Sequence, residues 1–265
     1  MDIERYKAEN IEKSHRFFID HITNGSAVLE VGSATGTLTC YLTIKKECAV
    51  TCIEIDPKGA EICSGYARRV VLGNIEDDYW VGELAGQSFD FIVMGDVLEH
   101  LRDPEKTLGK IKPFLSSGGL LLTSIPNIAH SAVVLSLLKG RFDYQTTGLL
   151  DHTHIHFFTR RSIAKAFGNA GWHCVDEKLS LASPAFSGLP YGYCSNLLLA
   201  LFLACRRDAH TYQFKHAWQK SLTNNRPVID ILRFKRGRRP FIAFWEMIKD
   251  IAAGLLRRVR KPRTP

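Results

Sequence analysis

The chain has 265 residues, 45% of them hydrophobic, which is enough for one α/β core of about 200 residues with an extension. Its net charge of +8 is concentrated in residues 226–263, which carry 12 Lys/Arg against 3 Asp/Glu, so the rest of the chain is nearly neutral. A neutral body argues against a nucleic-acid groove across the main domain, and any anionic partner is expected at the C-terminus.

The 7 cysteines form no C-x-x-C pair, which predicts reduced thiols rather than a disulfide framework or a zinc site. The first ten residues are polar, so no signal peptide is predicted. The longest apolar run, Leu197 to Cys205, is too short to span a bilayer. These features predict a cytoplasmic protein.

The first predicted elements are a helix, a strand and a tight loop. Residues 4–22 place apolar residues among charges and predict an amphipathic helix packed against the sheet edge. Val28 to Val31 then runs into the small residues Gly32-Ser33-Ala34-Thr35-Gly36, a strand that turns into a helix. A dinucleotide loop needs glycines at its third and sixth positions, but Ala34 and Thr37 stand there.

Glu30, just before this loop, favours a cationic ligand. It would repel a phosphate about 4 Å away by on the order of 4 kcal/mol at an effective dielectric near 20. S-adenosylmethionine (SAM) carries an ammonium and a sulfonium. The stretch from Glu30 to Gly36 resembles the first motif of class I SAM-dependent methyltransferases, E/D-x-G-x-G-x-G, with Ala34 at the middle glycine. The resemblance implies that the methionine part of SAM is held by Glu30, Gly32, Ser33, Ala34 and Gly36.

The next two strands end in polar residues that fit the rest of such a cofactor. Ala49 to Glu54 is a strand, and Glu54 lies 22 residues beyond Gly32, close to the spacing at which an acid binds ribose hydroxyls. The resemblance gives Glu54 the same role and adds Ile55. After the strand Arg69 to Leu72, related enzymes have G-D-I-E, whereas this chain has Gly73-Asn74-Ile75-Glu76. The oxygen of Asn74 can still accept from the adenine amino group, with Ile75 beside it.

A second ordered series of motifs follows. The strand Phe89 to Gly95 leads to Asp96-Val97-Leu98-Glu99-His100-Leu101, then Asp103-Pro104, then Gly118-Gly119 turning into the strand Leu120 to Ile125. This series resembles the quinone-biosynthesis type of O-methyltransferase and related enzymes found with glycan-assembly genes. The resemblance adds Gly95 and Asp96 to the cofactor-binding residues. Alternating strands and helices predict a doubly wound, seven-stranded, mostly parallel Rossmann-like sheet with one ligand crevice.

Residues 127–158 are too long for a simple connection and are interpreted as a helical insert that roofs the methyl-donor site. Ala129 to Lys139 is predicted to be helical. If the segment after Asp151 is extended, His152, His154 and His156 share one face. We consider His154 first, then His152 and His100, as a general base. The alternative is that the histidines only order the insert.

A divalent metal is a further alternative. Some RNA 2′-O-methyltransferases carry E-x-x-E-H after the fourth strand and a later histidine, and this chain resembles them in part with Asp96, Glu99, His100 and His154. Carboxylates suit a hard cation, and a bound metal lowers the pKa of a hydroxyl. Asp96 replaces the first glutamate of that pattern. The simpler interpretation is that Glu99 and His100 open a helix.

Two more strands, His173 to Leu179 and Thr211 to Trp218, are predicted to close the sheet, with an apolar helix, Asn196 to Arg207, between them. That helix is interpreted as core, or else as a substrate wall or membrane contact. Behind Pro240, apolar residues at helical spacing precede a basic end. Residues 226–265 therefore either bind an anionic membrane surface, which would make the protein peripheral, or pack on the body or on a second copy.

The predicted organisation is a lid segment (1–25), a SAM-binding domain (26–218) and a basic extension (219–265). The predicted function is SAM-dependent O-methylation of a small-molecule, sugar, glycolipid or quinone-like hydroxyl. The alternatives are a metal-dependent RNA 2′-O-methyltransferase and a SAM-binding protein without turnover.

Overall fold

A computed structural model describes residues 8–182 and 206–221, which contain a seven-stranded sheet. The strand order is β3-β2-β1-β4-β5-β7-β6, with β7 antiparallel to β5 and β6 and the remaining pairs parallel. This confirms the predicted Rossmann-like sheet. The strands are β1 (Ala27–Val31), β2 (Ala49–Glu54), β3 (Arg69–Leu72), β4 (Phe89–Gly95), β5 (Leu115–Pro126), β6 (Trp172–Leu181) and β7 (Thr211–Lys220).

Helices cover both faces of the sheet, and two of them begin at an Asp-Pro pair, a sequence pattern that predicts a helix start. The Asp56 and Asp103 side chains accept from the backbone N–H groups of Gly59 and Lys106, both at 2.9 Å. None of the helices in the two described ranges is both long and apolar enough to cross a bilayer. The helices are α1 (Ala8–His21), α2 (Thr37–Lys46), α3 (Pro57–Cys63), α4 (Tyr79–Glu83), α5 (Pro104–Ile111), α6 (Ser131–Leu138) and α7 (Arg160–Asn169).

The core has one layer on each face of the sheet because side chains alternate along each strand. Leu29 of β1 lies in the layer that contains α4, α5 and α7, and Val28 lies in the layer that contains α1 and α2. In the first layer the rings of Phe167 and Trp218 stack at 3.8 Å between centroids. Helix α1 shares its layer with residues of β1, β2 and β4, and its Asp20 and His21 pair with Lys178 and Asp176 of the edge strand β6.

Two further predictions need correction or restriction. Strand β5 begins at Leu115, not Leu120, and Gly118-Gly119 lies within it. The pairing register shifts here from Leu115 opposite Phe89 to Leu120 opposite Phe91, so Gly118-Gly119 lies in a bulge, and a Cβ at Gly119 would lie 2.7 Å from the Asp90 carbonyl oxygen. The predicted insert, 127–158, contains one helix, α6, and is otherwise irregular. Residues 1–7, most of the predicted apolar helix 196–207, and the extension from 222 lie outside the described residues.

Candidate functional site

The loop between β1 and α2 requires glycine at two positions. Gly32 and Gly36 have φ values of 71° and 72°, a left-handed conformation that glycine adopts without strain. A Cβ at Gly32 would lie 2.8 Å from Val97 Cγ2, and one at Gly36 would lie 3.1 Å from the Cys63 Cα. Ala34 also has a positive φ, 47°, so the alanine at the middle position carries backbone strain. The loop therefore packs between the turn after β4 and the end of α3, with no room for a side chain at Gly32 or Gly36.

Gly36→Ala tests whether the close packing of Gly36 against Cys63 sets the conformation of the cofactor loop. The left-handed alanine costs about 1–2 kcal/mol, and the Cβ contact with the Cys63 backbone adds displacement of the loop. We expect SAM affinity, measured by calorimetry, to fall at least about tenfold. Gly25→Ala is the matched control, since Gly25 has φ 74° with nothing within 4 Å of an added Cβ. Equal SAM affinity in the two variants would contradict the steric account.

Glu30 lies behind the loop and is almost completely buried. Its Oε2 accepts a hydrogen bond from the Thr39 hydroxyl at 2.6 Å. Burial raises the pKa of Glu30 to about 8, and the hydrogen bond from Thr39 opposes this shift only in part. At neutral pH the carboxyl group is therefore mostly protonated in the structure as it stands. A cation bound nearby would favour the ionised form.

Glu54, the last residue of β2, accepts hydrogen bonds from backbone N–H groups of the same loop and of the turn after β2. Its Oε2 accepts from the Ala34 N–H at 2.6 Å, and its Oε1 accepts from the Asp56 N–H at 2.9 Å. Each carboxylate oxygen has further acceptor capacity, so a ribose hydroxyl can share it. The Ile55 side chain is 64% exposed at the adjoining position. Glu54 thus joins the loop to the predicted ribose position.

Asn74 lies where β3 ends, and its side chain already has one partner. Its Oδ1 accepts from the Glu76 N–H at 2.9 Å, and the second lone pair of that oxygen can accept from adenine. Ile75 beside it is buried. A cavity of about 270 Å³ adjoins Asn74 toward α5. It is lined by Asn74, Glu76, Asp77, Arg102, Asp103, Lys106 and Thr107.

Asp96, directly after β4, is held in an unusual conformation. Its φ is 55°, and its Oδ1 accepts from the Ser124 hydroxyl at 3.1 Å and from the Gln213 amide. Side chains from β5 and β7 therefore set the direction of this carboxylate. Sequence reasoning missed Ser124 and Gln213. No local pattern marks Gln213, which lies 117 positions from Asp96 on the antiparallel strand β7.

Glu99, His100 and His154 meet at this edge of the sheet. Glu99 is almost completely buried, and neither carboxylate oxygen has a hydrogen-bond partner among the described residues. The His154 Nε2 lies 4.0 Å from the Glu99 Oε1, and the rings of His100 and His154 are 4.8 Å apart. Burial and the nearby Asp96 raise the pKa of Glu99, while burial and His100 lower that of His154.

The backbone brings these residues together across about 55 positions. The Glu99 carbonyl oxygen accepts from the N–H groups of Ile155 and His156, both at 2.9 Å. The His100 Nδ1 lies 3.1 Å from the Thr153 carbonyl oxygen. The segment around His154 is thus tied to the turn after β4.

The prediction that three histidines share one face is wrong. The Asp151 carboxylate accepts from the N–H and hydroxyl of Thr153, which bends the segment into a turn instead of a strand. His152 is exposed and lies 3.2 Å from the Gln145 carbonyl oxygen, whereas the His156 Nε2 contacts the Arg102 carbonyl oxygen. Of the predicted bases, the structure therefore places His100 and His154, but not His152, beside Glu99.

The same three side chains could hold a metal ion. Within the described part of the chain, Glu99, His100 and His154 each offer one ligand atom, and these atoms lie within 4.8 Å of one another. Two imidazoles and a carboxylate suit Zn²⁺, Mn²⁺ or Fe²⁺. The unpaired oxygens of buried Glu99 fit this function. Asp96, the fourth predicted ligand, bonds to Ser124 and Gln213 and is not part of this group.

Comparisons with known proteins place this geometry in context. A family profile described as "Methyltransferase domain" matches residues 3–177. The chain is 27% identical over 100 residues to the ubiquinone biosynthesis O-methyltransferase of Dinoroseobacter shibae, covering 38% of this chain and 40% of that protein. It is 29% identical over 113 residues to the (S)-coclaurine N-methyltransferase of Thalictrum flavum, covering 41% and 30% respectively. These alignments span less than half of either relative.

A solved structure shares the fold over most of the chain. A SAM-dependent methyltransferase from Archaeoglobus fulgidus superposes with a TM-score of 0.58 at 14% sequence identity, covering 82% of this chain and 96% of that one. At this identity the likeness establishes the fold alone. The crevice at the carboxyl ends of β1 to β4 therefore lies on the same type of sheet.

Proposed function

This chain belongs to the methyltransferase-domain family, the class I SAM-dependent methyltransferases, and from that premise we propose that it methylates a hydroxyl of a small molecule. The candidate acceptors are a quinone-like phenol and a sugar of a glycan or glycolipid. One relative is named as an O-methyltransferase and another as an N-methyltransferase, so the family alone does not select oxygen. The choice of oxygen over nitrogen as the acceptor atom rests on the candidate general base, His154, beside the crevice.

The residues of the crevice fit SAM. Gly32 and Gly36 let the loop pack closely against Val97 and Cys63, and the two carboxyl groups behind and beside it, Glu30 and Glu54, suit an ammonium and ribose hydroxyls. Asn74 and Ile75 would contact adenine. Ser33, Gly95 and Asp96 would complete the contacts with the methionine part. When bound, SAM supplies an electrophilic methyl group for in-line displacement.

The observation that carries O-methylation is the group of Glu99, His100 and His154. A hydroxyl must lose its proton when its oxygen attacks the methyl carbon, and a neutral imidazole can accept that proton. Burial and the neighbouring His100 lower the pKa of His154, which favours the neutral imidazole. The imidazolium that results would favour ionisation of the Glu99 carboxyl group, whose Oε1 lies 4.0 Å from the His154 Nε2 and would then stabilise the positive charge. Positioning of the hydroxyl supplies the remainder of the catalysis.

A metal-dependent O-methylation is the second candidate, favoured by the three ligand atoms within 4.8 Å. In that case Glu99, His100 and His154 would hold a divalent cation, which would acidify the acceptor hydroxyl. The same side chains serve both candidates. Removal of metal therefore distinguishes them better than mutation does.

The test is a screen of hydroxyl and amine acceptors with the full chain and SAM labelled in the methyl group, with and without EDTA. We expect the label on a hydroxyl acceptor and equal turnover in the two conditions. Loss of turnover with EDTA, restored by Mn²⁺ or Zn²⁺, would replace the first candidate with the second. Label found only on nitrogen would contradict both.

A further inference from the structure

Five rings form a continuous series from the protein surface to the candidate base. Phe142 packs edge-to-face against Tyr144 at 5.4 Å and against Phe157 at 5.6 Å between centroids. Phe157 lies 6.4 Å from the His154 ring, and His154 lies 4.8 Å from the His100 ring. The aromatic series thus ends at the group proposed to take the proton.

The outer rings are exposed although they are large and aromatic. Tyr144 is 57% and Phe142 is 37% exposed, and Leu137, Leu138 and Ile155 nearby in the chain are more than half exposed. Of the twelve large hydrophobic residues that are exposed in the described ranges, five lie between positions 137 and 155. Of these five, Phe142 and Tyr144 are in ring contact, so their exposed faces form one apolar patch, which is typical of a ligand-binding surface.

These rings are held in place from both sides. The Arg141 N–H donates to the Ser136 carbonyl oxygen at 2.9 Å, and the Gln145 N–H donates to the Leu150 carbonyl oxygen at 2.8 Å. Phe157 packs on a buried cluster that includes Leu149 and Leu150. The exposed rings therefore form a preorganised surface, which lowers the entropy cost of binding.

We propose that Phe142, Tyr144 and Phe157 are specificity-determining residues that seat a flat aromatic ring of the acceptor, with its hydroxyl directed to His154. This inference rests on the proposed function and refines it. An added aromatic ring gains edge-to-face contacts with Phe142 and Tyr144. A sugar would lose hydration of its hydroxyls against these apolar side chains. The surface therefore selects a phenol over a sugar.

The test compares 4-methylcatechol with methyl β-glucopyranoside as acceptors of labelled methyl groups. For the double variant Phe142→Ala/Tyr144→Ala we expect a KM for 4-methylcatechol raised at least about tenfold. The kcat and the dissociation constant of SAM stay within about threefold of wild type. Ile44→Ala, an exposed apolar residue on α2 outside the ring series, is the control and leaves all three values unchanged. An unchanged ratio of the two KM values in the double variant would overturn the proposal.

A binding measurement keeps this test separate from the proposed function. If the wild type methylates no hydroxyl, the O-methylation proposal fails, and the ring surface is judged by NMR titration of 4-methylcatechol into protein saturated with S-adenosylhomocysteine. We expect binding that the double variant weakens at least about tenfold. Equal binding by both proteins, or no binding by wild type, would overturn the ring proposal on its own.

Discussion

Glu30→Gln is expected to stabilise the folded protein and, at the same time, to weaken SAM binding. The wild-type carboxyl group is buried, and its pKa of about 8 lies far above the ordinary value of 4.5 for a glutamate in water. Folding therefore favours the protonated form. Glutamine keeps an oxygen that can accept from Thr39 and does not ionise. The variant therefore avoids the free-energy cost of keeping a buried carboxyl group protonated at a pH at which it is ionised in the unfolded chain.

The sign and size of the expected difference in unfolding free energy follow from the linkage between protonation and folding. The contribution of the protonated Glu30 side chain to the free energy of unfolding is fully present below pH 4.5. It is lost as the pH rises toward about 8, which is the pKa of Glu30 in the folded protein. Relative to Glu30→Gln, wild type should lose about 3 kcal/mol of unfolding free energy by pH 7 and about 4 kcal/mol by pH 8. Urea unfolding of both proteins between pH 5 and 8 measures this difference.

The binding half of the prediction uses calorimetry at pH 8. Loss of a carboxylate opposite the ammonium of SAM should cost about tenfold to hundredfold in affinity. Glu61→Gln, at an exposed position on α3, is the control and should change neither stability nor affinity. If wild type and Glu30→Gln show the same pH dependence of unfolding, Glu30 is ionised in the folded protein and this account of it is wrong.

His154→Gly is expected to lower kcat at least about hundredfold with the acceptor that the screen identifies. The loss is the usual contribution of a positioned general base. The dissociation constant of SAM should stay within about threefold, because His154 adjoins Glu99 and His100 rather than the β1–α2 loop. Turnover with labelled SAM measures the first quantity, and calorimetry measures the second.

Chemical rescue separates a base from a structural histidine. Added imidazole should restore part of the turnover of His154→Gly, since the ring can enter the space left by the side chain. Ile44→Ala, at an exposed apolar position on α2, should retain wild-type turnover. His152→Gly should have little effect on turnover, because the His152 ring lies beside the Gln145 carbonyl oxygen. Full turnover in His154→Gly would remove His154 as the base.

The sheet was largely predictable from the sequence. The bounds of β2, β3 and β4 agree with the predicted ones, because each is a short apolar run bounded by turn or cap residues. Asp56-Pro57 and Asp103-Pro104 marked helix starts correctly for the same local reason. The start of β5 was misplaced, because a glycine pair signals a turn unless a neighbouring strand needs close approach.

The site was predictable in part. The loop, the acid after β2 and Asn74 all follow strands whose carboxyl ends meet, so topology alone brings them together. The partner of Asp96 was not predictable, since Gln213 lies 117 positions away on an antiparallel strand. The protonated state of Glu30 and the turn at Asp151 also depend on contacts that no local pattern reveals.

Calorimetric titration of the full-length protein with S-adenosylhomocysteine, alongside NAD and ATP, tests the cofactor most directly. We predict saturable binding of S-adenosylhomocysteine at one site, weakened in Gly36→Ala and retained in Gly25→Ala, with no binding of NAD or ATP. Absence of S-adenosylhomocysteine binding together with tight binding of NAD or ATP would contradict the assignment of this crevice to the methyl donor.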